Sequence, residues 1–180
     1  MPDLNIVYYY HSKCLPLRSI TELPENEAFQ IAYQFGLING TSFGRFKDFN
    51  NYYPRRIKAE KWLYEWSAKS GGEAKIEHPI YFVLEQSDFF IFFFDKGKVI
   101  KLHLSLINSK HISFTIGDSM TTFNDDYNSI RKDPIFMEEV YKLVEEYDGK
   151  LEIYLEIMEK KYIECQLWNK EYLSNIDKIN

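Results

Sequence analysis

The sequence predicts one α+β domain: a mostly antiparallel sheet of about five to six strands, with about four helices packed around it. Apolar residues recur at helical spacing early and late in the chain, and they alternate through the middle and again near the C-terminal end. Aromatic residues make up 17% of the 180 (14 Phe, 14 Tyr, 3 Trp) and run from Tyr8 to Tyr172, which supplies one aromatic core. No stretch rich in Pro, Gly or Ser and no internal repeat divides the chain, so residues 1–180 read as one domain.

The first element is a strand over Asn5–Tyr10, whose β-branched and aromatic residues suit a pleated, half-buried surface. A helix follows over 24–35. Pro24 fits its first position, Glu25 and Glu27 complement the helix dipole, Ala28, Ile31, Ala32 and Phe35 form its apolar stripe, and Gly36 closes it. After a Gly- and aromatic-containing loop, Pro54 starts a second helix that ends before Gly71-Gly72 and buries Ala59, Trp62, Leu63 and Trp66. Residues 80–84 and 89–94 are apolar on both faces and read as central strands. Over 99–106, Ile100, Leu102, Leu104 and Leu106 oppose Val99, Lys101, His103 and Ser105, as in a sheet with one solvated face. Residues 111–116 alternate likewise, and Gly117-Asp118 suits a hairpin turn before a strand at 120–123, which predicts a meander. Asp133 and Pro134 open a third helix carrying Met137, Val140, Tyr141 and Val144 up to Asp148-Gly149; Leu151, Tyr154, Leu155 and Met158 mark a fourth. Residues 162–168 close the sheet, with Ile163, Cys165 and Leu167 on one face and Tyr162, Glu164, Gln166 and Trp168 on the other.

Charge and composition exclude several functions. The 22 Lys+Arg against 27 Asp+Glu give a net charge of −5, which disfavours broad nucleic-acid binding. The longest apolar run, 89–94, falls far short of the roughly 20 residues that span a bilayer. No apolar segment follows a basic start, so the sequence predicts a cytoplasmic protein with no membrane association. In that reducing compartment Cys14 and Cys165 are expected as free thiols. Residues 133–180 hold 12 acids against 6 bases, and their acidic helices would complement a basic partner, as in an immunity or inhibitor protein.

Motifs for Rossmann cofactors, P-loop nucleotides and common zinc sites are absent, so no cofactor and no metal are predicted. Gly40-Thr41-Ser42-Phe43-Gly44 matches the nucleophile-elbow spacing, but a helix precedes it where an elbow needs a strand; it reads as a turn. If their strands were neighbours, His103 and His111 would lie about 14 Å apart, too far to share an ion. Asn124-Asp125-Asp126 lacks the glycine and distal glutamate of a calcium loop. Residues 43–69 are locally basic, and Arg45, Arg55 and Arg56 at a helix start are candidates for holding a small anion. Otherwise that helix is amphipathic, with Arg56/Glu60 and Glu65/Lys69 as solvated pairs. The leading expectation is a non-enzymatic module for a protein partner or a small anionic ligand.

Two resemblances add to this reading. His11 at the end of the first strand, Tyr81 in a central strand and Glu164 in the last strand resemble, in that order, the His-Tyr-Glu arrangement of ADP-ribosyltransferases of the diphtheria-toxin and poly-ADP-ribose polymerase type. That resemblance implies NAD as cofactor, with His11 on the ribose, Tyr81 stacked on nicotinamide and Glu164 stabilising an oxocarbenium-like transition state. Ser12-Lys13 replaces the small pair usual after that His. Almost the whole chain, notably Tyr8-Tyr9-Tyr10-His11 and the segments 78–84 and 111–120, also resembles an uncharacterised family of bacterial proteins of similar length. This second resemblance implies a bacterial, self-contained domain and no particular chemistry.

Overall fold

Five strands form, β1 (Asn5–Tyr10), β2 (Ile80–Leu84), β3 (Lys98–His103), β4 (Ile112–Ile116) and β5 (Ile163–Leu167); the strand expected through residue 106 ends at His103, because Leu104–Leu106 turn as a 3-10 helix and leave Leu106 exposed. In the computed structural model, which describes residues 2–124 and 133–178, they form one sheet in the order β3-β1-β2-β5-β4. Every neighbouring pair is antiparallel. Seven α-helices surround the sheet among the described residues: α1 (Glu25–Gly36), α2 (Gly44–Lys47), α3 (Phe49–Lys69), α4 (Asp88–Phe93), α5 (Ser119–Asn124), α6 (Met137–Glu146) and α7 (Leu151–Ile157).

The helix count exceeds the expected four for identifiable reasons. Residues 89–94 fall in a helix rather than a strand. β2 and β3 are each antiparallel to β1, which lies between them, so they run parallel to one another and their connection must cross over β1. α4 is that crossover. Its start follows Glu85 in a left-handed turn, and it ends where Asp95 and Lys96 also take positive φ. Gly97 then passes so close to β1 that an added Cβ would lie 2.2 Å from the Tyr10 carbonyl oxygen. Residues 120–123 belong to α5, which packs against α3, so no hairpin follows Gly117-Asp118. The predicted meander is corrected with it: β3 and β4 are the two edges of the sheet, and β5 sits inside it between β2 and β4.

Two other boundaries move because tertiary burial outweighs local signals. α3 begins five residues before Pro54, since Phe49 is buried with Phe43, Phe46, Ala28 and Ala32 under an aromatic cluster. Pro54 therefore sits inside the helix, where it offers no N–H to the Asn50 carbonyl. α6 begins at Met137 rather than near Asp133-Pro134, because Ile135 is held against β4, exchanging hydrogen bonds with Phe114 at 2.9 and 2.8 Å. Of Asn124-Asp125-Asp126, the two aspartates lie outside the described residues.

The strand pattern sorts side chains to two faces. Ile6, Phe82, Phe114, Cys165 and Leu167 face the main core with Val140 and Val144 of α6 and Tyr154 of α7. Each fully buried aliphatic or aromatic side chain there contributes about 1.5–3 kcal/mol. On the opposite face, Val7, Tyr9 and Val83 lie beneath α4, and polar residues of β2, β5 and β4 lie beneath α3. Cys165 is buried and Cys14 half-buried; both are free thiols. No described helix is long and apolar enough to cross a membrane.

Candidate functional site

The register beneath α3 gathers polar side chains. Tyr81 pairs with Gln166 and Gln166 with Ser113, while Thr115 pairs with Glu164, so all five share the face that α3 covers. From the helix, Arg56, Ala59, Glu60 and Leu63 are buried against them. Charged residues thus occupy the apolar stripe of α3 at i, i+3, i+4 and i+7.

Arg56 is the centre of this cluster. Its Nε donates to Tyr52 Oη at 3.3 Å and its Nη1 to Ser119 Oγ at 3.2 Å, and its Nη2 lies 3.7 Å from the Asp118 carboxylate. Its guanidinium carbon stands 4.7 Å from the centre of the Tyr81 ring, a cation–π contact. Burial opposes its charge, but Tyr52, Tyr81, Glu164 and Asp118 together hold its pKa above the usual value. Glu164 accepts from the Ser119 N–H at 3.2 Å and from Gln166 Nε2 at 3.1 Å. Burial first, and then the Asp118 charge, push its carboxyl up to about 7, against the opposing pull of Arg56.

A second carboxylate is saturated by three donors. Glu60 Oε1 accepts from Thr21 Oγ1 and Tyr81 Oη, each at 3.1 Å, and Glu60 Oε2 lies 2.7 Å from His78 Nδ1. That bond raises the His78 pKa above its ordinary value. Burial raises the Tyr81 phenol further still. Across β5 and β4 the hydrogen bonds continue without a gap: Trp168 Nε1 to Ser113 Oγ, Ser113 Oγ to Gln166 Oε1, and Gln166 Nε2 to Thr115 Oγ1. Among the described residues, the buried side-chain atoms that lack a partner are Ser42 Oγ, Ser67 Oγ and His111 Nε2, none of them in the hydrogen bonds just described. The chemistry of the cluster is largely turned inward, to partners within it. It locks α3, α5 and the sheet together.

The sequence-predicted residues separate accordingly. Tyr81 and Glu164 meet around Arg56. His11 stands apart from them: Nδ1 accepts from the Lys13 N–H, Nε2 lies 3.7 Å from Asp95, and the ring meets the edge of Phe43 at 4.8 Å. Gly40 makes that corner possible, having φ of +152° and no room for a Cβ beside Asp95. Ser42 of the elbow-like motif is buried. The three arginines do not share a concavity: Arg56 is inside, Arg55 is exposed, and exposed Arg45 lies 4.8 Å over the Phe46 ring. Arg56 and Glu60 are not a solvated pair, because both point inward and bond to different partners. Sequence reasoning missed Glu60 and His78 as a unit, though a charged pair on the Ala59/Leu63 stripe was the available signal. Among the described residues no group of three or more His, Cys, Asp and Glu could hold a metal ion.

The other notable feature is a surface. α4 reads Asp-Phe-Phe-Ile-Phe-Phe, and none of its residues is buried. Phe90 stacks on Tyr9 and meets Tyr162, anchoring one side, whereas Phe89 is 37% and Phe92 69% exposed. Lys161 Nζ lies 4.9 Å over the Phe89 ring. Beside α4, Val99 of the edge strand β3 is 47% exposed. Compared with known protein families, curated proteins and solved structures, the chain finds no match.

Proposed function

We propose that the chain is a non-enzymatic interaction module that engages a protein partner through the aromatic surface of α4 and the adjoining edge of β3. The observation that carries this reading is a helix with five apolar residues of six that packs Phe90 and Ile91 on the sheet yet leaves Phe89 and Phe92 exposed. Contiguous exposed aromatic surface is uncommon on a lone domain, and buried aromatics dominate binding energy at interfaces. The geometry favours this over small-anion binding, because Arg45, Arg55 and Arg56 face different surroundings. It also favours it over ADP-ribosyl transfer. The Arg56 guanidinium already occupies one face of the Tyr81 ring, and His11 is engaged by Asp95 and Phe43 rather than by Tyr81 or Glu164 among the described residues.

The test is site-specific photo-crosslinking in cells that make the protein. A benzoylphenylalanine at position 92 is expected to give a discrete protein adduct, and one at position 33, where Tyr33 is 72% exposed on α1, is expected to give none. Equal adducts from both positions, or none from either, would refute the reading.

A further inference from the structure

Resting on that reading, we propose that the partner segment is an extended acidic stretch that adds a strand to the free edge of β3, with one apolar side chain set between acidic ones. The two sheet edges differ. β4 is capped by Ile135, which exchanges two backbone hydrogen bonds with Phe114. β3 has backbone partners only on its β1 side among the described residues, so its outer N–H and C=O groups are open to another strand.

The charges along that edge select the occupant. Lys96, Lys98 and Lys101 are all exposed, and among the described residues none forms an ion pair. Lys101 only reaches the neutral Gln86 Oε1 at 3.5 Å. What sets these three apart is their place: all lie on or beside the one strand whose outer edge is open. In a chain of net charge −5, unpaired lysines on a free strand complement an acidic segment. They also disfavour a second copy, since pairing β3 with itself would crowd the lysines of both chains.

Register supplies the pattern. Lys101 pairs with Val7 and Val99 with Tyr9, so both point to the α4 side, whereas Lys98 pairs with Tyr10 and points to the other face. A strand laid beside β3 would therefore place an apolar side chain against Val99, on the α4 side, and acidic ones against Lys98 and Lys101.

The experiment is fluorescence anisotropy of a labelled peptide, Glu-Val-Thr-Glu-Val-Thr-Glu, titrated with the full chain. A copy N-methylated at alternate amides and a copy with Lys for Glu serve as controls. The expected result is saturable binding weakened about tenfold or more by N-methylation, by the Lys peptide, and by a folded Lys98→Glu/Lys101→Glu variant. N-methylation tests the strand addition without altering the protein. Binding indifferent to N-methylation overturns it. Absence of peptide binding while the position-92 adduct still forms overturns the acidic partner and leaves the α4 reading standing; loss of the adduct as well removes both. A dimer in sedimentation that the double variant dissociates would give the edge to a second copy and overturn the proposal.

Discussion

Glu164 sits where burial and the Asp118 carboxylate both oppose its charge, and its carboxyl is pushed from 4.5 up to about 7. The folded state therefore binds this proton more tightly than the unfolded chain. That stabilisation is fully present below about 4.5 and is lost as pH rises through about 7, a change on the order of 3 kcal/mol. His78 acts in the same direction. Its pKa is raised above 6.5, chiefly by the bond to Glu60, so its contribution is complete below 6.5 and is lost as pH rises through the higher folded value. Urea midpoints of the wild-type protein are expected to fall as pH rises from about 4.5 to 8.5. Glu164→Gln should flatten the lower part of that fall and His78→Gln the upper part; variants that track the wild-type slope throughout would contradict the assignment. Arg56→Ala should cost about 3–5 kcal/mol, because it strands Ser119 and leaves Asp118 and Glu164 without their counter-charge. These consequences were only half legible in the sequence. Alternation puts Glu164 with Gln166 on one face of the last strand, but residues 80–84 offer no face for Tyr81, and the partners that surround both come from α3, Thr21 and Ser119, which only the folded chain brings there.

At the scale of elements, α4 separates what periodicity can and cannot decide. A run of consecutive phenylalanines has no period, so strand and helix fit it equally, and only the crossover from β2 to β3 settles the choice. Segments with a clear period, such as α1, α7 and β5, stand close to where their spacing puts them, although the alternation over 99–106 is cut short at His103. The helix makes a distinct prediction. In a strand Phe90 and Phe92 would share a face, but in α4 they point nearly opposite ways, Phe90 onto Tyr9 and Tyr162, Phe92 to solvent. Phe90→Ala is expected to destabilise the fold by about 2–3 kcal/mol and Phe92→Ala by less than about 0.5 kcal/mol in urea unfolding. Equal losses would argue against the helix.

For the whole molecule, alternation reveals which side chains share a face but not which strands are neighbours, and this is why the meander reading fails while the α+β class holds. The actual order makes β5, the last strand in sequence, the bridge between β2 and β4. Its insertion joins residues near 82 and 114 to those near 165, so the sheet is completed through long-range pairing, the slow kind of folding. A chain ending at Lys161 loses that bridge, opens an edge on both β2 and β4, and uncovers Phe82 and Phe114 from the core. Such a chain is expected to bind a hydrophobic dye and to unfold without a cooperative transition. A chain ending at Trp168 keeps β5. It loses buried Ile176 and the Tyr172 hydroxyl that bonds His111 at 2.7 Å and the Asn108 N–H at 3.1 Å. It should still unfold cooperatively, less stable by about 2–4 kcal/mol. Cooperative unfolding of the shorter chain would show that the sheet closes without β5, and the centre of the fold would then have to lie in β1, β2 and β3 alone.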